Sequence, residues 1–215
     1  MWKTVLFDLD GTLTDSAEGI TKCVQHALVG LGLEAPELTD LNCFVGPPLH
    51  EMFMNYADLD EETADRAVEL YRERYVAEGM FENHLYPKIT KLLELLEKHG
   101  ITMGVASSKP EVYVEQILEH FGIAEYFDYV SGIELQGEPL SKHGVIRLAM
   151  EKLGVSDPGE CIMVGDRFHD VEGAQLSHME SVMVLYGYGD AAEAERCGAT
   201  YTAGSVEELE ALLLG

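Results

Sequence analysis

The sequence predicts an α/β protein with a mostly parallel sheet and an inserted helical subdomain. Three observations predict it. Short apolar runs lack the strict alternation of half-exposed strands, which marks strands buried on both faces. Segments of helical period separate those runs, and strand–helix alternation builds a parallel sheet. A stretch of about seventy residues after the first run holds helical patterns and no convincing strand, far longer than an ordinary connection.

The elements follow in order. TVLFDL (4–9) is the first strand. In 16–86, apolar residues at 20, 24, 28 and 31 mark one helix; Ala64, Ala67, Val68, Tyr71 and Tyr75 mark another. Between them FVGPPLHEMF (44–53) reads as a Gly-Pro-Pro turn feeding a short helix. In 88–99, Ile89, Leu92, Leu93 and Leu96 recur at helical spacing and Gly100 stops the helix. ITMGVA (101–106) is the second strand. In 141–153, Ile146, Ala149, Met150 and Leu153 line a helix face after a Ser141 cap. CIMVG (161–165) and SVMVL (181–185) are further strands. The expected division is a sheet core of 1–15 and 87–215 and a helical subdomain of 16–86, placed over the end of the first strand.

Composition narrows the function. Hydrophobic residues make up 47%, enough for a sizeable core. Fourteen Lys and Arg against 39 Asp and Glu leave a net charge of −25. Nucleic acid and anionic membrane surfaces both require basic patches, so neither is an expected partner. An anionic substrate would need a locally positive site inside this repelling field. Cys23, Cys43, Cys161 and Cys197 are widely spaced and form no C-x-x-C pair, as expected of buried free thiols in a reducing compartment. The N-terminal apolar run is broken by Asp8, and no run approaches the ~18 residues of a membrane span. The expected location is cytoplasmic.

Ligands of open α/β sheets bind beyond the carboxyl ends of the strands. The first strand ends in Asp8-Leu9-Asp10-Gly11-Thr12, the 101–106 strand in Ser107-Ser108-Lys109, and the 161–165 strand in Asp166, with Asp170 four residues on. Residues two apart in extended chain face the same way, so Asp8 and Asp10 can share a site. With Asp166 and Asp170 they would repel strongly unless a hard cation lay among them, and oxygen ligands suit Mg²⁺. DLDG does not begin a calcium loop: that loop requires Asp or Asn at its fifth position and Glu at its twelfth, and these are Thr12 and Gly19. Asp170 reads equally as negative charge in the first turn of a helix. His169 reads as exposed or locally hydrogen-bonded. The P-loop, nucleophile-elbow, zincin and dinucleotide fingerprints are absent.

DLDGTLTDS, VASSK and GDRFHDVEGA, in that order, resemble the motif pattern of the haloacid dehalogenase-like hydrolase superfamily over nearly the whole chain. The insertion after the first motif is similar to the helical cap of its phosphoglycolate phosphatase and β-phosphoglucomutase branch. SSKPE and GDR-x-HD look similar to phosphoglycolate phosphatase-like and 5′-nucleotidase-like members. The resemblance implies a Rossmann-like core and a Mg²⁺-dependent phosphatase acting on small phosphomonoesters, of the phosphoglycolate or nucleoside monophosphate class. It implies Asp8 as the nucleophile and Asp10 as general acid/base, with the Asp10 backbone carbonyl also binding Mg²⁺. It implies Ser107 on a phosphoryl oxygen, Asp166 as a Mg²⁺ ligand, and Asp170 as a ligand or an orienter of its waters.

Where many relatives carry Lys-Pro, this chain reads Glu138-Pro139. Some relatives place the lysine a few residues later, which Lys142 fits. A lysine at a helix N-terminus favours an anion; the other reading of Lys142 is a solvated surface residue. Lys109 and Thr12 are further phosphate-binding candidates. Lys88 stands where relatives often have glycine. Phe44, Val45, Gly46 and Pro47 are candidates to touch substrate from the inner face of the cap, and read equally as cap core and turn. The expected partner is a small phosphorylated metabolite, and the chain is expected as a monomer or weak homodimer. The rival readings are a phosphosugar mutase, an inactive phosphate-binding protein and a signalling receiver domain. Receivers are compact domains of ~120 residues, near the modal domain size, without a helical cap, and their acceptor aspartate is not in the first strand.

Overall fold

A computed structural model describes residues 2–135 and 140–215. Among them, six strands form one sheet: β1 (Thr4–Phe7), β2 (Thr102–Pro110), β3 (Tyr129–Ile133), β4 (Cys161–Gly165), β5 (Glu180–Val184) and β6 (Tyr201–Ala203). Their order across the sheet is β3-β2-β1-β4-β5-β6, and every neighbouring pair is parallel. This is the α/β, Rossmann-like arrangement, with its change of direction at β1 and β4. β1, the central strand, is buried along its whole length, as its unbroken apolar run requires.

The helices of this part are α4 (Ile89–Lys98), α5 (Glu111–His120), α6 (Lys142–Lys152), α7 (Phe168–Leu176), α8 (Ala191–Cys197) and α9 (Val206–Leu214). Leu6, Ala106 and Met163 pack with Val145, Ile146 and Ala149 of α6 and Ala174 of α7. Ser141 caps α6, its Oγ accepting from the Gly144 N–H at 3.2 Å. α4 buries Ile89, Leu92, Leu93 and Leu96, the four residues at helical spacing, and packs against β2 and α9. Lys88, just before α4, has φ of 73°. A residue with a Cβ holds that conformation at a cost of about 1–2 kcal/mol.

Some expected bounds move. β1 stops at Phe7 because the chain turns at once: the Leu13 and Thr14 N–H groups both donate to the Leu9 carbonyl, at 2.9 and 3.0 Å. β2 runs on to Pro110, with its register against β3 shifted between Ala106 and Pro110. β3 carries Ser131 and Gly132 and has no continuous apolar run; the buried Ser131 hydroxyl donates to the Val145 carbonyl at 2.9 Å. Of the cysteines, Cys23 and Cys161 are buried, but Cys43 is exposed and Cys197 half-buried. Cys43 departs from the expectation because it sits on the surface 3₁₀ turn Leu38–Phe44. No described helix is long and apolar enough to cross a membrane.

The chain divides into two units, Met1–Thr14 with Leu85–Gly215, and Asp15–His84. The second boundary falls two residues before the expected 87. There the Tyr86 N–H donates to the Leu13 carbonyl at 3.1 Å, and the Tyr86 ring meets Tyr186 edge-on at 4.9 Å.

The Asp15–His84 unit is helical: α1 (Ala17–Gly30), α2 (Leu49–Ala57) and α3 (Glu61–Ala77). α1 buries Ile20, Cys23, Val24, Ala27 and Leu28; α3 buries Ala64, Ala67, Tyr71 and Tyr75. Asp60 caps α3 by accepting from the Thr63 N–H at 2.9 Å. Beneath these helices Arg74 reaches both Glu82 carboxylate oxygens, at 2.7 and 3.1 Å, and Lys22 adds a contact at 2.9 Å. The Arg74 guanidinium, helped by Lys22 against the effect of burial, holds the Glu82 carboxyl down to about 2.

A folded-state pKa lowered in this way stabilises above the unfolded value and is lost as pH falls through the folded one. Because the pair is partly solvated, Glu82→Gln is expected to cost about 1–2 kcal/mol at pH 7. The difference from wild type in urea denaturation should shrink by roughly half by pH 3. A difference that does not change with pH would remove Glu82 from this role.

Candidate active site

The crevice of a doubly wound sheet opens where the strand order changes direction, at the carboxyl ends of the strands on either side. Here those strands are β1 and β4, paired in register with Phe7 opposite Val164. The residue after β1 is Asp8 and the residue after β4 is Asp166. The Asp8 N–H still donates to the Val164 carbonyl at 2.8 Å, so the ladder fixes the start of the turn. Asp170 lies in the first turn of α7 and Lys142 opens α6.

These four side chains converge. One carboxylate oxygen from each of Asp8, Asp166 and Asp170 lies within 4.8 Å of the others. The Lys142 ammonium sits 2.9 Å from Asp8 Oδ1 and 2.7 Å from Asp170 Oδ1. Lys142 is therefore not a solvated surface lysine: its side chain is 7% exposed. Burial works against its charge, but Asp170 and Asp8 outweigh that and hold it above the ordinary lysine range. Asp170 Oδ2 accepts from the Arg167 N–H at 3.0 Å at the start of α7, while Oδ1 faces Lys142.

One ammonium does not balance three carboxylates. Burial pushes the Asp8 carboxyl up to about 6, with Lys142 opposing and Asp170 adding to the rise. Asp166, fully buried, is pushed well above the ordinary range by burial and then by Asp170 and Asp8. Its Oδ2 accepts from the Tyr188 N–H at 2.8 Å, but its Oδ1 is buried with no hydrogen-bond partner. A buried carboxylate oxygen left without a donor is costly unless a cation meets it. The donor set is all oxygen and anionic, which fits Mg²⁺. Asp8, Asp166 and Asp170 are the residues that would hold it.

The Asp10 carboxylate is not in that group. Its Oδ1 accepts from the Lys109 ammonium at 2.7 Å, with both side chains about nine-tenths buried. Neighbouring aspartates thus have separate lysines. Ser107 is buried, its Oγ accepting from the Lys109 N–H at 3.4 Å. Thr12 is fully buried; its hydroxyl has no partner, and its carbonyl accepts from the Tyr186 hydroxyl at 3.1 Å. Phe44, Val45, Gly46 and Pro47 belong to the Asp15–His84 unit. There Phe44 is buried against Phe53 and Tyr56, ring centres 5.1 and 5.2 Å away, Val45 is buried, Gly46 exposed and Pro47 half-buried. His169 is half-buried with its ring against Phe168. Glu138-Pro139 lies outside the described residues.

Sequence reasoning missed the glycines and tyrosines that shape the site. Gly11 has φ of 79°, and a Cβ there would lie 2.1 Å from Asp166 Oδ2. A Cβ on Gly165 would lie 2.1 Å from the Asp170 carboxyl carbon. The segment Tyr186-Gly187-Tyr188-Gly189 wraps Asp166 in the same way. Its only trace in the sequence is the alternation YGYG at 186–189, just beyond an apolar run.

The family model described as haloacid dehalogenase-like hydrolase matches residues 5–184. The chain belongs to that family. It is an enzyme, a phosphatase of this class, and its relatives accord with that. A 5′-nucleotidase of Pseudomonas aeruginosa is 43% identical over 188 residues, covering 87% of this chain and 85% of the relative. Tyrosine-protein kinase PtkA of Mycobacterium tuberculosis is 39% identical over 211 residues, covering 97% of this chain and 72% of the relative. The crystal structure of a predicted phosphatase from Clostridium acetobutylicum superposes with a TM-score of 0.95 at 48% identity, covering 100% of this chain and 99% of that one.

A cation held by this carboxylate group stabilises the folded state. Adding MgCl₂ at about 100 times its dissociation constant to chelator-treated protein is expected to contribute ~2.7 kcal/mol. That is a rise in melting temperature of roughly 5–11 °C for a chain of this size. Asp166→Asn should lose most of the shift. A wild-type melting temperature indifferent to Mg²⁺ would contradict the assignment.

Proposed function

We propose that this chain is a Mg²⁺-dependent phosphatase of small phosphomonoesters, working through a phosphorylated Asp8. The observation that carries the reading is the convergence of Asp8, Asp166 and Asp170 with Lys142 at the switch point of the sheet. A bound Mg²⁺ would neutralise charge on the phosphoryl oxygens and keep the crowded carboxylates ionised.

The residues then divide the work. An Asp8 carboxylate oxygen attacks phosphorus in line; that P–O bond forms as the ester P–O bond breaks. Asp10 gives a proton to the departing ester oxygen and leaves as a carboxylate. In the second step Asp10 takes a proton from water, the water oxygen bonds to phosphorus, and the bond to Asp8 breaks. Inorganic phosphate and the alcohol are the products, and both aspartates return to their starting states. Lys142 and Ser107 hold phosphoryl oxygens during both steps. Asp8 and Asp10 face different ammonium groups, Lys142 and Lys109. The same two lysines answer the problem of an anionic substrate on a chain of charge −25: they act at contact distance, while the acidic surface is screened beyond ~8 Å.

Nucleoside monophosphates are the first substrate class proposed, on the strength of the 5′-nucleotidase relative at 43% identity, with phosphoglycolate second. PtkA's name raises ATP-dependent tyrosine phosphorylation as the contrasting activity, but the chain lacks a G-x-x-x-x-G-K-[ST] phosphate loop.

Phosphate release across a panel of nucleoside monophosphates, phosphoglycolate and sugar phosphates, with and without Mg²⁺, tests the proposal. Wild type should release phosphate only with the metal. Asp8→Asn should lower kcat at least about a thousand-fold with an unchanged circular dichroism spectrum. Near-normal turnover by that variant, or phosphotyrosine formed from ATP in place of phosphate release, would overturn the reading.

A further inference from the structure

The segment Tyr186–Gly189 follows β5 and carries none of the acidic groups of the site, yet it touches both sides of it. The Tyr186 hydroxyl donates to the Thr12 carbonyl at 3.1 Å, inside the turn that carries Asp10. The Tyr188 N–H donates to Asp166 Oδ2 at 2.8 Å. Between these two contacts the backbone at Gly187 is pressed against the site: a Cβ there would lie 2.2 Å from the Gly11 carbonyl oxygen and 2.5 Å from Asp166 Cβ. Tyr188 closes over the other side, its ring 2.7 Å from where a Gly11 Cβ would stand. Tyr186 is itself fixed from behind by the Tyr86 ring, edge-on at 4.9 Å.

We propose that Tyr186–Gly189 is a clasp of positioning residues with two separable arms. The Tyr188 N–H and the bare backbone of Gly187 set the orientation of Asp166, so that Oδ2 is spent on the protein and the unpartnered Oδ1 is left for a cation. The Tyr186 hydroxyl braces the Asp10-Gly11-Thr12 turn and so sets where Asp10 gives and takes its proton. None of the three touches substrate. Three features support the division. The turn at 9–14 is short and has its own backbone bonds, from Gly11 N–H to the Thr14 carbonyl at 2.8 Å and from Leu13 N–H to Leu9 at 2.9 Å. Its outer carbonyl, Thr12, is held by a side chain from the segment that follows β5. And the Asp166 oxygen left without a partner, Oδ1, is the one that the clasp does not bond.

The kinetic arm rests on the phosphatase reading above; the metal arm does not. Tyr186→Phe removes one oxygen and keeps the ring on Tyr86. Its expected effect is a fall in kcat of about ten-fold, with KM and calorimetric Mg²⁺ affinity both within two-fold of wild type and the melting temperature nearly unchanged. Gly187→Ala displaces Asp166, and its Mg²⁺ affinity should fall at least about ten-fold by calorimetry with no substrate present. Should Gly187→Ala fail to fold, Gly189→Ala, whose Cβ would lie 2.1 Å from the Asp166 carbonyl oxygen, takes its place in the calorimetric comparison. Tyr186→Phe with kcat within two-fold of wild type, or with activity lost only in proportion to unfolded protein, would overturn the hydroxyl arm. Gly187→Ala binding Mg²⁺ like wild type would overturn the other. If wild type hydrolyses no phosphoester, the phosphatase reading fails while the calorimetric comparison still judges the clasp.

Discussion

The Lys142 ammonium, held between Asp8 and Asp170, is the interaction on which the site depends. Two strand ends and a helix bring three carboxylates to one place, and such a cluster repels itself apart unless positive charge lies within contact distance. Lys142 is nearly buried and delivered by the first residue of α6, whose own position is set by the Ser141 cap and by the packing of Val145, Ile146 and Ala149 on the sheet. The core thus supplies a cation fixed in place between Asp8 and Asp170. The remaining deficit of charge is what a divalent ion would fill.

The glycines have the complementary role. At Gly11 and Gly165 there is no room for a side chain because carboxylate atoms occupy it. The geometry of the cluster is therefore set as much by atoms that are missing as by those present. Backbone turns approach within contact of Asp166 and Asp170 and leave each carboxylate only a narrow range of orientations.

Much of this was legible in the sequence. Central parallel strands must be apolar throughout, so TVLF and CIMVG stand out, and an aspartate at the end of each is conspicuous. Asp8 and Asp166 stand out this way, with Asp170 four residues on, whereas Lys142 is singled out by the resemblance to relatives that place a lysine at this helix start. Other parts left little signal. Ser131 and Gly132 interrupt the apolar pattern of β3, and β6 is only three residues long. The Tyr186–Gly189 segment acts through a backbone N–H, a hydroxyl and close approach, none of which a pattern of hydrophobicity records. That Lys109 pairs with Asp10 and Lys142 with Asp8 depends on which strand end meets which helix, a matter of topology.

The separate pairing of Asp8 with Lys142 and Asp10 with Lys109 has a consequence for how such a protein can diverge. The two lysines stand on different segments, one at the end of a strand and one at the head of a helix. Mutation of Lys109 alters the surroundings of Asp10, whereas mutation of Lys142 alters those of Asp8 and Asp170 together. A lineage can accordingly change the partner of Asp10 without replacing the ammonium that Asp8 and Asp170 share.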